Sequence, residues 1–151
     1  MIMNKNNHVL EPWSPIKFTI GKNNANTKVW GREYTFDNSL FPTAVQTAGK
    51  DILAAPIELH AFFNGKEEQF TESVYLVVEQ TDAKVVFNVS QTAGNIICNG
   101  RILIEYDGFM QIAFSIIPYW SFSPNGKNIP RLDKLYIDIP IKKEFASLYH
   151  Y

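Results

Sequence analysis

Cysteine and histidine are scarce in this sequence, and neither sign of charge is in clear excess. Cys98 is the only cysteine among 151 residues, so an intrachain disulfide and a zinc site of the CxxC type are excluded. The three histidines, His8, His60 and His150, are too scattered to suggest a metal site. The 14 basic and 15 acidic residues are dispersed and give a net charge of −1. We therefore expect no metal, no cofactor, and no nucleic acid or membrane partner.

Long hydrophobic runs and helical periodicity are equally rare. The N-terminal stretch "MIMNKNNHVLEPW" lacks the apolar core of a signal peptide, and no run is long enough to span a bilayer. The one helix candidate is "KKEFASLYHY", which fits a final strand or a fraying tail equally well. The remaining composition, 46% hydrophobic and 19% charged, is typical of a folded globular protein.

Short runs rich in β-branched and aromatic residues recur along almost the whole chain, separated by turn residues. The connectors "GKNNAN", "AGK", "NGK", "TDAK", "TAGN" and "DG" have turn chemistry. We predict an all-β fold, an antiparallel β-sandwich of roughly ten short strands, formed by residues 15–151 after a linker or approach segment of residues 1–14. The predicted strands cover residues 16–20, 27–36, 43–47, 51–54, 56–63, 73–80, 84–90, 94–98, 101–106, 109–117 and 132–139.

Two carboxylates, Glu105 and Asp107, lie at i and i+2 in the apolar stretch "ILIEYDGFMQIAFSIIP". On a strand they would be roughly 6.6 Å apart, within the rough range of the paired carboxylates of glycosidases. Asp-Gly between two strand-like runs instead predicts a hairpin with a two-residue type I′ turn, which makes Asp107 a turn residue. The predicted register pairs Tyr106 with Phe109, Glu105 with Met110, Ile104 with Gln111 and Leu103 with Ile112.

Several stretches together resemble a known family. "EPWSPIKF", "VWGREYTFDNSLFPTAVQTAGKDILAAPIEL", "GRILIEYDGFMQIAFSI" and "LDKLYIDIPIKKEFASLYHY" look like the β-sandwich domain that precedes the catalytic barrel in bacterial proteins related to glycoside hydrolase family 123. The similarity runs from about residue 10 to the C-terminus.

The resemblance implies a non-catalytic accessory domain whose partner is a catalytic barrel. In the enzymes of this family, the acidic pair that hydrolyses an N-acetylhexosaminide lies on that barrel, and no residue here matches it. A barrel of about 250 residues does not fit in this chain, so the chain is expected to be an excised domain that continues past "LYHY" in longer proteins. The resemblance also suggests an extracytoplasmic location.

The segment "PYWSFSPNGKNIPR" offers the first candidates for carbohydrate contact. Tyr119, Trp120 and Phe122 lie within four positions and precede turn-forming residues. Exposed rings can stack on the C–H faces of a sugar while nearby polar groups bind its hydroxyls. The same rings could instead close one end of the sandwich or pack against the barrel.

Trp30 and Arg32 in "VWGRE" are the second pair of candidates for glycan contact. We expect them on one face of a single strand, with Gly31 marking a bulge or a close backbone approach. Arg32 could bind a ligand, stack on a ring, pair with Glu33 or Glu58, or tie two loops together.

Two other functions stay open beside the accessory domain. An independent carbohydrate-binding module would expose Tyr119, Trp120 or Trp30 on a platform. A stand-alone hydrolase would bring acidic groups such as Glu105, Glu58 or Asp133 together in a cleft. The accessory domain predicts a broad apolar surface patch. Asp37 and Asn38 form the only loop of calcium-binding character, which is a weak signal.

Overall fold

A computed structural model describes residues 9–94, 96–118 and 131–146. Within these residues the chain is all-β and antiparallel, with twelve strands. No helix in the described part of the chain is long and apolar enough to cross a membrane. The strands are β1 Lys17–Ile20, β2 Asn24–Val29, β3 Arg32–Asp37, β4 Ala44–Thr47, β5 Lys50–Asp51, β6 Glu58–Phe63, β7 Lys66–Glu68, β8 Val74–Gln80, β9 Lys84–Ala93, β10 Ile96–Glu105, β11 Met110–Pro118 and β12 Leu132–Asp138.

The strands form three sheets arranged as a sandwich. The five-stranded sheet has the order β1-β2-β3-β4-β5, the four-stranded sheet β11-β10-β9-β8, and the three-stranded sheet β12-β6-β7. A bridge between Leu53 and Ile141 joins the ends of the five-stranded and three-stranded sheets. Both of these sheets pack against the four-stranded sheet, which confirms the predicted sandwich-like fold.

Two hydrophobic clusters fill the space between the layers. In the larger one, the ring of Phe87 in the four-stranded sheet lies 5.2 Å from Phe36 and 5.4 Å from Phe18, both in or beside the five-stranded sheet. In the smaller one, Phe63 of the three-stranded sheet packs with Ile96 of the four-stranded sheet. The two clusters meet along β9, whose alternate residues point inward.

Two strand boundaries were predicted wrongly because of glycines. The predicted strand 27–36 is a hairpin, in which β2 and β3 are joined by a turn at Trp30 and Gly31, with a φ of 72° at Gly31. Conversely, the predicted break before residue 101 is not present, since β10 runs straight through Gly100. A Cβ at position 100 would overlap the buried side chain of Leu40, so this glycine serves close packing rather than a turn.

The predicted hairpin around Asp107 is confirmed, but its register is wrong by one residue. The connection is longer than predicted: the amide of Glu105 donates to the oxygen of Phe109 at 2.9 Å, and Gly108, with a φ of 87°, donates back to Glu105. Ile104 therefore pairs with Met110. This register places the apolar residues of β11 on the inner face with Ile104, where Met110 packs against the core.

Smaller differences from the prediction lie elsewhere along the chain. β7, a short strand after the turn at Asn64 and Gly65, was missed. The C-terminal helix candidate contains no helix as far as residue 146, and residues 147–151 lie outside the described part. In the segment predicted as a linker, the ring of Trp13 contacts Tyr106 edge to face at 5.8 Å.

Candidate functional site

One concave site lies at the seam where the five-stranded sheet meets the three-stranded sheet. We call it the seam cleft; its volume is about 520 Å³, within the range of small-ligand sites. Its walls come from the end of β3 with the loop after it, the beginning of β6 with the residues before it, and the end of β7 with the residues after it, and β9 contributes Gln91. Its lining residues are Asp37, Asn38, Ser39, Thr43, Pro56, Ile57, Glu58, Leu59, His60, Glu67, Glu68, Gln69, Phe70 and Gln91.

Gln91 forms the floor of the seam cleft. It occupies an inward position of β9, between Val89 of the larger cluster and Ala93 of the smaller one, and is only 5% exposed. Its Oε1 accepts a hydrogen bond of 2.8 Å from the hydroxyl of the fully buried Ser73. Its Nε2 has no hydrogen-bond partner among the described residues. Among the described residues, the buried side-chain atoms without a hydrogen-bond partner are Oδ1 of Asn23 and Oγ1 of Thr27, and the nitrogen of Gln91 is not one of them.

The loop after β3 is fixed by hydrogen bonds around the same serine. Asn38 adopts a φ of 50°, and its Oδ1 accepts from the amide of Ser73 at 2.7 Å. The hydroxyl of Tyr75 accepts from the amide of Ser39 at 2.9 Å and donates to its carbonyl oxygen. Burial raises the pKa of Tyr75, and the nearby carboxylate of Asp37 raises it further. These contacts hold Asp37 at the cleft.

The opposite wall carries a histidine between two carboxylates. Nδ1 of His60 lies 2.5 Å from Oε1 of Glu67, and its Nε2 lies 3.6 Å from Oε2 of Glu58. The imidazole also stacks on the ring of Tyr136, with centroids 4.7 Å apart. Lys134 places its ammonium group over the same ring at 4.5 Å. This wall is thus ordered by contacts within the three-stranded sheet.

The two remaining carboxylates of the cleft make fewer polar contacts within the protein. Asp37 and Glu68 have no hydrogen-bond or ion-pair partner in the described parts of the chain. No lysine or arginine lines the cleft. No group of three or more His, Cys, Asp or Glu within the described ranges could hold a metal ion.

A second concave surface lies on the outer face of the four-stranded sheet. We call it the outer groove; its volume is about 640 Å³ and it crosses all four strands. Polar residues lie along its centre, while β8 contributes apolar residues at its edge. Its outward-facing lining residues are Val74, Leu76, Asn88, Ser90, Asn99, Arg101, Ala113 and Ser115.

Of the sequence candidates for glycan contact, Trp30 and Arg32 line neither of these surfaces. Tyr119, Trp120 and Phe122 fall outside the described residues. Trp30 is 55% exposed, but in a turn, and Arg32 begins the next strand, so the prediction that both lie on one strand face was wrong. Arg32 donates through Nη1 to the oxygen of Gly108 at 3.1 Å and so ties two hairpin turns together.

The three carboxylates proposed for a stand-alone hydrolase do not converge. Glu58 begins β6 and lines the seam cleft, whereas Asp133 accepts from the amide of Gly65 at the opposite end of β6, roughly 20 Å away by strand rise. Glu105 ends β10, where it lies opposite Lys84 in the register of the neighbouring strand β9. Sequence reasoning missed Gln91 and Glu68, because only the meeting of three sheets brings these polar residues together.

Comparison with known proteins identifies the family. The family model for the third domain of glycoside hydrolase 123 matches residues 4–149, nearly the whole chain. No curated protein matches the sequence. The all-β sandwich and the family match agree with the resemblance noted from the strand motifs. The chain belongs to the glycoside hydrolase 123 family, as its third domain.

Proposed function

We propose that this domain performs no catalysis itself and supports the catalytic barrel of a glycoside hydrolase 123 protein by packing against it. The observation that carries the proposal is the apolar edge formed by β8. Val74 and Leu76, which point outward from the sheet, are 60% and 65% exposed, and Val78 is exposed beside them. An exposed apolar edge strand is prone to uncontrolled association unless another surface covers it.

The geometry of the sheet favours a large partner at this edge. β8 has only β9 as a neighbour in the described structure, so its outer backbone groups lie at the open edge of the sheet, while Val74 and Leu76 project from the outer face beside that edge. The outer groove continues from β8 across the sheet and adds Asn88 and Arg101 as polar contacts. An apolar strip beside polar side chains is typical of contacts between domains of one chain.

The experiment is a binding titration between this chain and the catalytic barrel of its parent protein, produced separately. We expect association in the wild type and its loss in Leu76→Lys, because a lysine at the centre of the edge would have to be desolvated. Trp30→Lys is the matched control, since Trp30 is similarly exposed but lies in a distant turn. Equal binding by both variants would refute the assignment of β8, and no binding by the wild type would refute the proposal.

Glycan contact is the second candidate function, favoured by the seam cleft. A cleft of this size, with carboxylates and the amide of Gln91 beside the apolar Ile57 and Phe70, has the mixture of groups that sugars require. A glycan-array screen of the purified chain, followed by tryptophan fluorescence titration of each hit, tests this function. Saturable binding supports it, and a folded sample that binds no glycan rejects it.

A further inference from the structure

We infer that the outer groove receives a carboxylate of the catalytic barrel, and that Arg101 is the residue that binds it. The inference rests on the proposed function, packing of this domain against the barrel, and specifies the chemistry of the surface that covers the groove. That surface presents an aspartate or glutamate side chain to Arg101 and an apolar side chain to β8. The charge, the polar groups and the apolar wall of the groove each favour such a partner.

Among the described residues, Arg101 is the only charged one that lines the outer groove. It is exposed on β10, where the register places it between Asn88 of β9 and Ala113 of β11. Its guanidinium group has no ion-pair or hydrogen-bond partner in the described part of the chain. An apolar surface laid over the groove would bury this charge without a partner, which is strongly unfavourable. A surface that covers the groove therefore has to supply a negative charge.

The shape of the guanidinium group fits a carboxylate. In an unmodified protein surface, negative charge is carried by aspartate and glutamate side chains, and the planar fork of an arginine can donate two parallel hydrogen bonds to their two oxygens. The neighbour of Arg101 on β11 is Ala113, whose single methyl group leaves the guanidinium open from that side. The site therefore allows the paired geometry that a lysine could not provide.

Neutral polar side chains lie around Arg101. Asn88 is in the same row across the sheet, and the next row contains Ser90, Asn99 and Ser115. In the described structure, none of these four side chains makes a hydrogen bond within the protein. Their donors and acceptors are thus available to the backbone of the segment that carries the carboxylate, as at the polar positions of protein interfaces.

The apolar wall of the groove belongs to the same two rows. The register pairs Leu76 with Asn88 and Val74 with Ser90, so Leu76 lies two strands away from Arg101, roughly 10 Å by strand spacing. An interface of ordinary size, about 800 Å² on each partner, that covers Leu76 also reaches Arg101. An arginine beside apolar residues is typical of the few positions that dominate the binding energy of an interface.

The test is a titration of the separately produced barrel with this chain and its variants. Arg101→Glu should weaken association by about a hundredfold, because it places two negative charges against each other. Arg101→Lys should weaken it by about tenfold, because an ammonium group lacks the paired hydrogen bonds of the guanidinium. Lys17→Glu is the matched control: Lys17 is exposed in the opposite layer, where its neighbour Phe18 packs against the core and Lys17 points outward.

A reciprocal change in the barrel identifies the carboxylate. Each exposed aspartate and glutamate of the barrel is replaced by lysine, and we expect one of these variants to bind Arg101→Glu more tightly than the unchanged barrel does. The inference is wrong if no variant restores binding, or if Arg101→Glu binds as tightly as Lys17→Glu. Loss of binding in Leu76→Lys would then still support packing at β8. Absence of binding by the wild type would reject both the proposed function and this inference.

Discussion

The hydroxyl of Tyr34 donates a buried hydrogen bond of 2.7 Å to the backbone oxygen of Gly108. This contact joins the five-stranded sheet to the hairpin turn of the four-stranded sheet, 74 positions further along the chain. Arg32 donates to the same oxygen from the surface side. One carbonyl in a turn thus receives two side chains of β3, and it fixes the two layers of the sandwich against each other.

Replacing Tyr34 by phenylalanine should lower the free energy of unfolding by about 0.5–1.5 kcal/mol, the net value of one hydrogen bond. The loss stays in this range because Arg32 still satisfies the oxygen of Gly108. Urea denaturation measures it. Tyr106→Phe is the control, since the hydroxyl of Tyr106 has no hydrogen-bond partner among the described residues. An equal loss in both variants would show that the bond to Gly108 contributes nothing specific.

Gly100 and Leu40 provide a test of packing between the layers. Gly100→Ala should lower the free energy of unfolding by about 1–3 kcal/mol, because the new methyl group would overlap the side chain of Leu40. Leu40 is fully buried, so it has little room to move aside.

The double variant Gly100→Ala/Leu40→Ala checks the cause of this loss. Removing the leucine side chain also removes the overlap, so the double variant should lose less stability than the sum of the single variants. Additive losses would mean that the glycine is needed for some reason other than the space that Leu40 occupies.

The sequence predicted those parts of the fold, mainly the turns, that depend on residues adjacent in the chain. The predicted turns at Ala48-Gly49 and Asn64-Gly65 are both present with positive φ at both positions, a conformation that Asn-Gly favours. Gly31 and Gly100 were misassigned because a glycine in a β-rich run has two uses, a turn or a close approach. The contact between Gly100 and Leu40 spans 60 positions, and no local pattern encodes it.

The candidate site was less predictable than the fold. Gln91, Asp37 and Glu68 come from β9, β3 and β7, and their meeting depends on how two sheets lie beside each other over a third. Aromatic residues in a loop are conspicuous in a sequence, whereas one glutamine inside a strand is not. The sequence signal that could have identified Gln91 is its inward position in the alternation of β9, between Val89 and Ala93.

Cys98 should make the stability of the domain depend on alkaline pH. Burial raises the pKa of its thiol from 9.0 to about 11. The unfolded thiol therefore loses its proton first as the pH rises above 9, which favours the unfolded state until the folded thiol also ionises near 11. The free energy of unfolding should accordingly fall between pH 9 and 11, as measured by urea denaturation at a series of pH values.

Variants identify the side chains that cause this loss of stability at alkaline pH. Cys98→Ala should be less stable at neutral pH but should lose less stability between pH 9 and 11. Tyr75, whose pKa is also raised by burial, should account for part of the remaining slope, and Tyr75→Phe should remove that part. Identical slopes for the wild type and Cys98→Ala would contradict the role of the thiol.

The turn at Trp30 and Gly31 allows backbone conformation to be tested without a packing change. Gly31 has a φ of 72°, and a Cβ built on it would meet no atom within 4 Å. Gly31→Ala should nevertheless destabilise the domain by about 1–2 kcal/mol, because an L-residue with a Cβ is strained in the left-handed region. Gly31→Asn should lose less, since asparagine tolerates this region better than alanine does. Thermal unfolding of the two variants measures the difference. Equal stability of Gly31→Ala and the wild type would show that the hairpin relaxes into another turn, and an Asn variant weaker than Ala would show that side-chain bulk, rather than φ, limits this position.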